Sequence, residues 1–504
     1  MDATPIADIF GVTTPILPMI VMLIGALIMP GCYFVFKKKA PLTAIAMVIV
    51  LVSIVLNVML LTGTVDDVDY AGVFKGMFAY NDFSGLMILL FQIVIAIVIF
   101  VSGSSTEVTT LHYGAYMGLL FVATSGMMFV AEATDLVAIF VGVEAVSISS
   151  YVLVAMKRND PRAAEAAVKY VVIGGLSTAL TIYGISMIYG SLHTLDLADM
   201  GAALAMYGYS WAFIIGLIAM VAGYGFKIAA APFHMWAPDV YEGASTPVSV
   251  MLATGSKKMG IVVFIKVFLL MFIIAQAVVN IEPAQYLFAV IAAFSMTIGN
   301  IVAIAQNNIK RMLAYSSIAQ AGYILIAMAV MSEYALTGGL FHMFTHVFMK
   351  GGAFLIVGAL ICAGVGEKIS DYNGLAKRAP LLAFAMLIFL FSLAGVPPLA
   401  GFTSKFVLFS GAVYGPDGVI TQWIWLAFIA ILNSAISLYY YVRVIKAMYV
   451  EKPAKEPEFG EKLAIPKTFA IAIAVCAVMV VVLGVYPQLI LDLCEQASAC
   501  MFGA

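Results

Sequence analysis

The sequence predicts an all-α polytopic membrane protein with about 14 transmembrane helices, and three observations lead to that fold class. Of its 504 residues, 64% are hydrophobic and only 10% are charged, whereas a soluble domain carries roughly 25% charged residues. Fourteen segments are apolar over the roughly 20 residues that a helix needs to cross the hydrocarbon core. Lysine and arginine are also concentrated in alternate loops, as the positive-inside rule describes for membrane proteins.

The predicted spans follow one another with short connections, and we number them span 1 to span 14. They are 15–36, 42–62, 83–101, 113–131, 133–155, 161–189, 210–243, 247–272, 284–305, 311–331, 338–363, 380–414, 421–447 and 467–491. No connection is long enough for a soluble domain. Any redox cofactor or nucleotide site is therefore expected on another chain.

Basic residues divide the loops into two sets. Alternate loops hold 17 lysines and arginines, and the opposite loops hold only Lys75. The 17 are Lys37, Lys38, Lys39, Lys157, Arg158, Arg162, Lys310, Arg311, Lys368, Lys377, Arg378, Arg443, Lys446, Lys452, Lys455, Lys462 and Lys467. This division predicts a multi-pass protein of the cell membrane with the lysine-rich loops in the cytoplasm and both termini outside. The start, Met1-Asp2-Ala3-Thr4, lacks the basic region of a signal peptide, so the first span is expected to be retained.

The five cysteines do not indicate a metal cluster. None of them forms a CxxC pair, and an iron–sulfur cluster needs thiolates at defined spacing. They are Cys32, Cys362, Cys476, Cys494 and Cys500. We expect small apolar side chains in helices.

Seven lysines and one glutamate fall inside predicted helices. The lysines are Lys169, Lys227, Lys257, Lys258, Lys266, Lys350 and Lys405, and Glu144 lies near the middle of span 5. A charge at bilayer depth costs roughly 3 kcal/mol, so such residues usually face a bundle interior or a wet cavity. Several of them together indicate an ion pathway.

Simpler interpretations stay open for some of these residues. Lys266 could reach the outer surface from the end of its helix, and Lys169 could be an interfacial lysine. Lys257 and Lys258 point about 100° apart on a helix, so at most one of them need face a pathway. Glu144 could form a purely structural ion pair with a lysine.

His342, His346 and Lys350 recur at i, i+4 and i+8, which places them in one polar stripe along span 11. Two histidines at this spacing can bind a metal, but no nearby carboxylate completes a site, so we predict no metal. A line of exchangeable protons fits the stripe better. Polar contacts between packed helices are the alternative.

Spans 7 and 12 are too long for one straight helix and contain prolines. Pro232 follows Lys227 in span 7, and Pro397 and Pro398 precede Lys405 in span 12. Proline removes a backbone donor and breaks the helix. The freed backbone groups are tolerated at membrane depth only where protein or water satisfies them, so both breaks predict a polar interior.

The two broken helices lie five spans apart, and an odd offset reverses direction across the membrane. This predicts inverted five-helix repeats, spans 4–8 against spans 9–13, although two independent proline kinks remain the alternative. The expected organisation is a three-helix segment (1–110), a first repeat (111–280), a second, inverted repeat (281–450), and a cytoplasmic loop with the C-terminal helix (451–504).

These residues resemble the N-type antiporter-like membrane subunit of respiratory complex I. The likeness covers roughly residues 110–450, and the wider family includes cation/proton antiporter subunits and membrane subunits of related hydrogenases and deazaflavin-coenzyme dehydrogenases. The motifs that match are Lys169-Tyr170, Phe226-Lys227, 232–248 (PFHMWAPDVYEGASTPV), 308–320 (NIKRMLAYSSIAQ) and Gly395-Val396-Pro397-Pro398.

The resemblance implies a role for each buried charge. Glu144 matches the carboxylate of the fifth helix and Lys227 the lysine of the broken seventh. Lys257 best matches the eighth-helix lysine, with Lys258 not excluded, and Lys405 matches the twelfth-helix lysine near the outward exit. Lys169 and Lys350 match lysines between these, and His342 and His346 extend the polar axis.

The resemblance also implies the setting of the chain. We expect a proton-translocating subunit of a redox-driven pump, next to other membrane subunits that include further antiporter-like ones, with no nucleic acid involved. No cofactor or metal is expected on this chain; flavin, iron–sulfur clusters and a quinone or methanophenazine belong to partner subunits. Composition suits a bacterial or archaeal membrane, and a methanogen's deazaflavin-coenzyme dehydrogenase is the preferred host.

The expected mechanism is electrostatic. Desolvation favours a neutral buried lysine, and a nearby carboxylate favours the charged form. If Glu144 lies near Lys227, changes in that pairing would hold or release the proton. The competing hypotheses are a stand-alone or Mrp-type cation/proton antiporter and a non-conducting structural subunit.

Overall fold

The structure, a computed structural model, describes residues 15–63, 76–157, 160–415, 418–452 and 462–503, and its helices confirm the all-α fold class. Thirteen helices in these ranges are long and apolar enough to cross a membrane. The predicted twelfth span consists instead of two shorter apolar helices. The predictions on residues 1–4, Lys75, Arg158 and Lys455 lie outside the described residues.

The spans have the following bounds. Spans 1 to 6 are Leu17–Phe36, Lys39–Leu61, Asp82–Ser102, Tyr113–Glu132, Leu136–Ala155 and Pro161–Leu192. Span 7 consists of Trp211–Ile228 and Trp236–Gly243, and span 12 of Pro380–Ala394 and Ala400–Val413. Spans 8 to 11 are Thr246–Ala275, Glu282–Ile304, Ile309–Val330 and Glu333–Cys362, and spans 13 and 14 are Ile424–Tyr449 and Lys467–Val485.

Two helices and two local distortions go beyond the sequence prediction. The last helix ends at Val485 rather than near 491, because Pro487 interrupts it, and a separate helix, Gln488–Phe502, follows. A further helix, Leu197–Tyr207, joins span 6 to span 7. Span 8 contains two π-helical turns, Leu252–Ser256 and Phe264–Leu269, of the kind that often occurs at functional sites.

Polar side chains fix where several spans begin. The Asn81 side chain accepts a hydrogen bond from the Ser84 N–H at 2.9 Å and starts span 3. Asp135 accepts from the second and third residues of span 5, and Asn308 accepts in the same way at the start of span 10. These caps satisfy N–H groups that have no partner inside the helix.

Both broken spans stop in the same way. Ile228 is followed by Ala229 in the left-handed region (φ 53°), and Ala394 is followed by Gly395 (φ 91°). Glycine adopts that conformation without the steric cost that a side chain brings. Lys227 lies two residues before Ala229, where span 7 breaks. At the break of span 12, the carbonyl groups that have lost their helix partners face neighbouring side chains.

The halves of the chain share a further local geometry five spans apart. Asp135, which caps span 5, pairs through its backbone with Asp196, which follows span 6. Asn308, which caps span 10, pairs in the same way with Lys368, which follows span 11. This recurrence supports the inverted-repeat hypothesis. The boundaries at 111, 281 and 451 remain predictions.

Candidate functional site

Six lysines and two histidines that the sequence places inside helices are buried in the helix bundle, each exposing 8% or less of its surface. They are Lys227, Lys257, Lys258, Lys266, Lys350, Lys405, His342 and His346. Burying a charged amine without compensation costs several kcal/mol, so each group needs a polar neighbour or an exchangeable proton. We therefore describe the neighbours of each group in turn.

Lys227 and Glu144 line one small cavity but do not touch. The Lys227 Nζ donates to the Ser147 Oγ at 2.9 Å, and the Thr178 Oγ1 donates to the Glu144 Oε1 at 2.9 Å. All four side chains face a cavity of about 10 Å³, close to the smallest volume that holds one water molecule. The lysine and the carboxylate thus each bond to a different hydroxyl group rather than to each other.

Lys257 and Lys258 are both buried in the middle of span 8, directly after its first π-helical turn. Neither Nζ has a hydrogen-bond partner within the described ranges. The Lys257 Nζ lies 5.8 Å from the centre of the Tyr241 ring. From the sequence, we expected that only one of these two lysines need face the interior. The structure buries both side chains.

His342 occupies the centre of a hydrogen-bonded group in the second half. Its Nε2 lies 2.9 Å from the Gln320 Oε1, and its Nδ1 lies 2.9 Å from the Ser404 Oγ. Since Gln320 uses its Nε2–H to donate to the Leu393 carbonyl at 3.1 Å, its Oε1 accepts from His342. A neutral imidazole with its proton on Nε2 satisfies both contacts.

Lys405 reaches the same carbonyl group from the other side. Its Nζ donates to the Leu393 carbonyl and to the Ser434 Oγ, both at 2.8 Å. In a straight helix that carbonyl would accept a hydrogen bond from the helix backbone. The break of span 12 leaves it without that partner, so it accepts from both Gln320 and Lys405, and Gln320 in turn bonds to His342. Lys405 also lines a cavity of about 480 Å³ that has largely apolar walls.

The rest of the stripe on span 11 extends this group. The His346 ring lies 6.2 Å from the His342 ring and has no hydrogen-bond partner in the described part of the chain. The Lys350 Nζ donates to the Ser316 Oγ and to the Leu313 carbonyl. His342, His346 and Lys350 thus face one interior region, as the sequence predicts.

Lys169 lies apart from the buried line. Its side chain is 42% exposed, and its Nζ pairs with Glu165 at 2.7 Å and Asp239 at 2.6 Å. Asp239 also pairs with Arg311 at 2.5 Å. The structure places Lys169 in a surface ion-pair network at the lysine-rich ends of the spans, where an interfacial lysine is expected.

The sequence analysis missed a second, buried part of that network. Lys310, counted as a loop residue, is fully buried and pairs with Glu107 at 3.4 Å and Glu367 at 3.1 Å. Glu107 also pairs with Lys157 at 3.1 Å. The acidic groups line a cavity of about 590 Å³, which has room for a cluster of water molecules. No residue spacing in the sequence indicated this cluster.

The positive charges around Glu107 lower its pKa by more than burial raises it. Burial alone raises the pKa of the Glu107 carboxyl, but Lys310, Lys157 and hydrogen bonding from Thr246 lower that pKa to about 2. Glu107 is consequently ionised at neutral pH and holds the two lysines together.

No metal site is apparent in the part of the chain that the structure describes. It contains no group of three or more histidine, cysteine, aspartate or glutamate side chains that could hold an ion. In His342 both ring nitrogens are engaged by Gln320 and Ser404. The arrangement suits movement of protons between hydrogen-bonded groups.

A family model of membrane-spanning segments, described as NADH:quinone oxidoreductase/Mrp antiporter, matches residues 133–437. The F(420)H(2) dehydrogenase subunit N of Methanosarcina mazei is 38% identical over 490 residues, covering 95% of each chain. The NADH-quinone oxidoreductase subunit N of Moorella thermoacetica is 38% identical over 433 residues, covering 86% of this chain and 88% of that one.

Solved structures are similar over nearly the whole length. A chain of respiratory complex I from Thermus thermophilus has a TM-score of 0.77 at 26% identity, with 94% of this chain and 99% of that chain covered. A chain of an archaeal membrane-bound sulfane sulfur reductase gives 0.82 at 25% identity, with 97% and 98% covered. The Mrp complex of a Dietzia species gives 0.84 at 20% identity, with 98% of each chain covered, a likeness in fold alone.

Proposed function

The chain belongs to the NADH:quinone oxidoreductase/Mrp antiporter family of membrane subunits, and we propose that its buried line of ionisable groups carries protons across the membrane within a redox-driven complex. The observation that carries this proposal is the connection of His342 to Lys405 through Gln320 and the Leu393 carbonyl. The Gln320 amide and the Leu393 carbonyl do not carry the proton themselves; they hold His342 and Lys405, the two groups that can exchange one, in a single hydrogen-bonded group at bilayer depth.

The Glu144–Lys227 region supports electrostatic control of the first step. Lys227 donates to Ser147 and Glu144 accepts from Thr178, and all four side chains line one cavity of only about 10 Å³. A small displacement of Glu144 toward Lys227 would stabilise the ammonium form, and withdrawal would favour release of its proton. Moving one charge across 100 mV costs about 2.3 kcal/mol, which a change of this kind can supply.

Partners and redox groups follow from the relatives. We place this chain next to other membrane subunits, including other antiporter-like ones, with flavin, iron–sulfur clusters and a quinone or methanophenazine on partner subunits. The 38% identity to the F(420)H(2) dehydrogenase subunit over 95% of both chains supports a deazaflavin-coenzyme dehydrogenase as the host. Lys169 enters the proposal only as an interfacial residue.

The test is proton flux in vesicles that contain the assembled complex. Replacing Lys227 or Lys405 by methionine should lower the proton flux through this subunit about tenfold or more, because losing a relay group that is worth 1.4 kcal/mol changes a rate about tenfold. Lys446→Met is the matched control, since the Lys446 side chain is 60% exposed and outside the line.

Three outcomes separate the hypotheses. Loss of flux in both buried variants, with Lys446→Met unaffected, supports proton transport. Flux that depends on sodium in the purified single chain would point to a stand-alone antiporter. Normal flux in both buried variants, with the complex intact, would leave only a structural subunit.

A further inference from the structure

Glu132 and Lys266 are two further buried ionisable groups at the lysine-poor ends of spans 4 and 8. Glu132 is the last residue of span 4 and is only 1% exposed. Neither of its carboxylate oxygens has a hydrogen-bond partner within the described residues. Lys266 is 8% exposed, so it does not reach the outer surface as one sequence interpretation allowed.

The lysine is held by backbone rather than by the carboxylate. The Lys266 Nζ donates to the Ala131 carbonyl at 2.6 Å, in the last turn of span 4, where carbonyl groups lack partners inside the helix. Because Ala131 directly precedes Glu132, this hydrogen bond places the Lys266 ammonium beside the Glu132 residue. The Lys266 ammonium therefore has a hydrogen-bond acceptor. The Glu132 carboxyl has no hydrogen-bond partner within the described residues, so it can gain or lose a proton.

Backbone hydrogen bonds fix the end of span 4, where Glu132 lies. The Ala79 N–H donates to the Glu132 carbonyl at 2.9 Å, and the Thr134 N–H donates to the Met77 carbonyl at 3.0 Å. This short backbone pairing ties the end of span 4 to the chain before span 3. Lys266 lies in the second π-helical turn of span 8, Phe264–Leu269.

We propose that Glu132, with Lys266 beside it, is a proton-binding site through which protons leave the buried line on the lysine-poor side. A buried carboxylate without hydrogen-bond donors favours taking up a proton, whereas the neighbouring ammonium favours giving it up again. These opposing effects are what an exchange site needs. The resident ammonium also disfavours a sodium or potassium ion at the same carboxylate, so the ligand is a proton.

Span 8 supplies the connection to the rest of the line. Lys258 and Lys266 lie eight residues apart on it, a rise of about 12 Å at 1.5 Å per residue. At about 2.8 Å per hydrogen bond, a chain of about three or four water molecules would bridge such a distance. The inference rests on the proposed function, because it needs protons to arrive at Lys257 or Lys258.

The alternative is a purely structural contact between spans 4 and 8. The Lys266–Ala131 hydrogen bond could serve that purpose, but it needs no buried carboxylate next to it. A buried, unpaired carboxylate costs stability unless it binds a proton, so Glu132 is expected to hold one at rest. The two readings differ in whether Glu132 changes protonation during turnover.

The experiment uses the whole complex in vesicles and two readouts, protons moved per electron and infrared difference spectra of carboxyl groups during turnover. Glu132→Gln should lower protons per electron as much as Glu144→Gln and remove a carboxylic C=O band. Glu132→Asp should shift that band and restore part of the flux. Glu333→Gln is the control, since Glu333 begins span 11 on the same side and is partly exposed.

Normal protons per electron in Glu132→Gln, with no band lost, would overturn the proposal. If Glu132→Gln does not assemble, the Glu132→Asp complex decides: a shifted band supports the site and an unchanged band overturns it. If only the proposal for Glu132 is wrong, the Lys227→Met and Lys405→Met complexes still lose proton flux. Failure of the proposed function removes those effects as well.

Discussion

Gln320 is the uncharged residue on which the connection between two ionisable groups depends. Its Oε1 accepts from His342 at 2.9 Å, and its Nε2 donates to the Leu393 carbonyl at 3.1 Å. Lys405 donates to the same carbonyl at 2.8 Å. A buried amide of this kind is fully satisfied only while both neighbours stay in place, so it also fixes the tautomer of His342.

Replacing Gln320 by leucine should slow proton transfer between His342 and Lys405, because the amide holds the His342 ring in position and bonds to the carbonyl that also holds Lys405. The substitution leaves the His342 Nε2–H without its acceptor, and we expect about a tenfold loss of proton flux if the barrier rises by 1.4 kcal/mol. The measurement is proton flux in vesicles containing the assembled complex. Gln92→Leu is the matched control, because Gln92 is equally buried but bonds to Ser53 away from the line. An equal loss in both variants would mean disturbed packing rather than a broken relay.

The sequence predicts the charged members of the site well and the uncharged members poorly. Glu144, Lys227 and Lys405 are visible in the sequence because a charge inside an apolar run is costly. Ser147 and Gln320 give no such signal, since single polar residues are ordinary in membrane helices. Their roles depend on which helices meet, and the sequence alone does not specify that.

Lys310 and Glu107 show a second limit at the residue scale. Both lie in short connections between apolar runs, so hydropathy assigns them to the membrane surface. The structure buries them against each other and against Glu367. Ion pairs that join residues about 200 positions apart need the tertiary fold before they can be recognised.

The two halves of a broken span are held in place because other helices pack closely against them. A Cβ built on Gly338 in span 11 would lie 2.5 Å from the Leu408 backbone in Ala400–Val413, the second half of span 12. Real Cβ atoms do not approach backbone that closely. Glycine therefore lets span 11, with its histidines, lie directly against the half-helix that carries Lys405.

Gly338→Ala should push the half-helix away from span 11 and destabilise the protein by roughly 1–3 kcal/mol, the usual cost of overpacking. The thermal midpoint of the purified complex and its proton flux should both fall. Gly175→Ala is the control, since nothing lies within 4 Å of a Cβ there and alanine favours the helix. Unchanged stability in Gly338→Ala would show that the two helices separate freely.

At the element scale, prolines carry most of what the sequence predicts. Pro232, Pro397 and Pro398 mark the breaks of spans 7 and 12, and the structure has both breaks. Pro487 gave an equal signal at the end of span 14, but the apolar run to residue 491 concealed it. The π-helical turns of span 8 have no such marker, because each needs one residue more per turn rather than a residue of a special kind.

In the part of the chain that the structure describes, ion pairs and a polar cavity lie at one face, and the buried Glu132 and Lys266 lie toward the other. Glu107 and Glu367 line the cavity of about 590 Å³ at the lysine-rich ends of the spans, and the buried Lys310 pairs with both of them. Glu132 and Lys266 lie toward the opposite ends. Between them the lysines and histidines occupy the interior, so a proton crossing the molecule has entry and exit regions of different character.

The direction of that crossing depends on which face meets the cytoplasm. The positive-inside rule assigns the lysine-rich face to the cytoplasm, because the potential and the insertion machinery retain lysine and arginine there. We expect a membrane-impermeant maleimide to label Met206→Cys, but not Lys446→Cys, in right-side-out vesicles, and the reverse in inverted ones. Met206 is 76% exposed and lies in Leu197–Tyr207 on the lysine-poor face.

The labelling needs a background without competing thiols. The three partly exposed cysteines, Cys32, Cys362 and Cys500, are replaced by alanine, whereas the buried Cys476 and Cys494 stay as internal controls. Labelling of both test positions from one side would contradict the span count between them. Labelling with the two sides exchanged would keep the fold, but it would make Glu132 the side of proton uptake and reverse the proposed direction of transport.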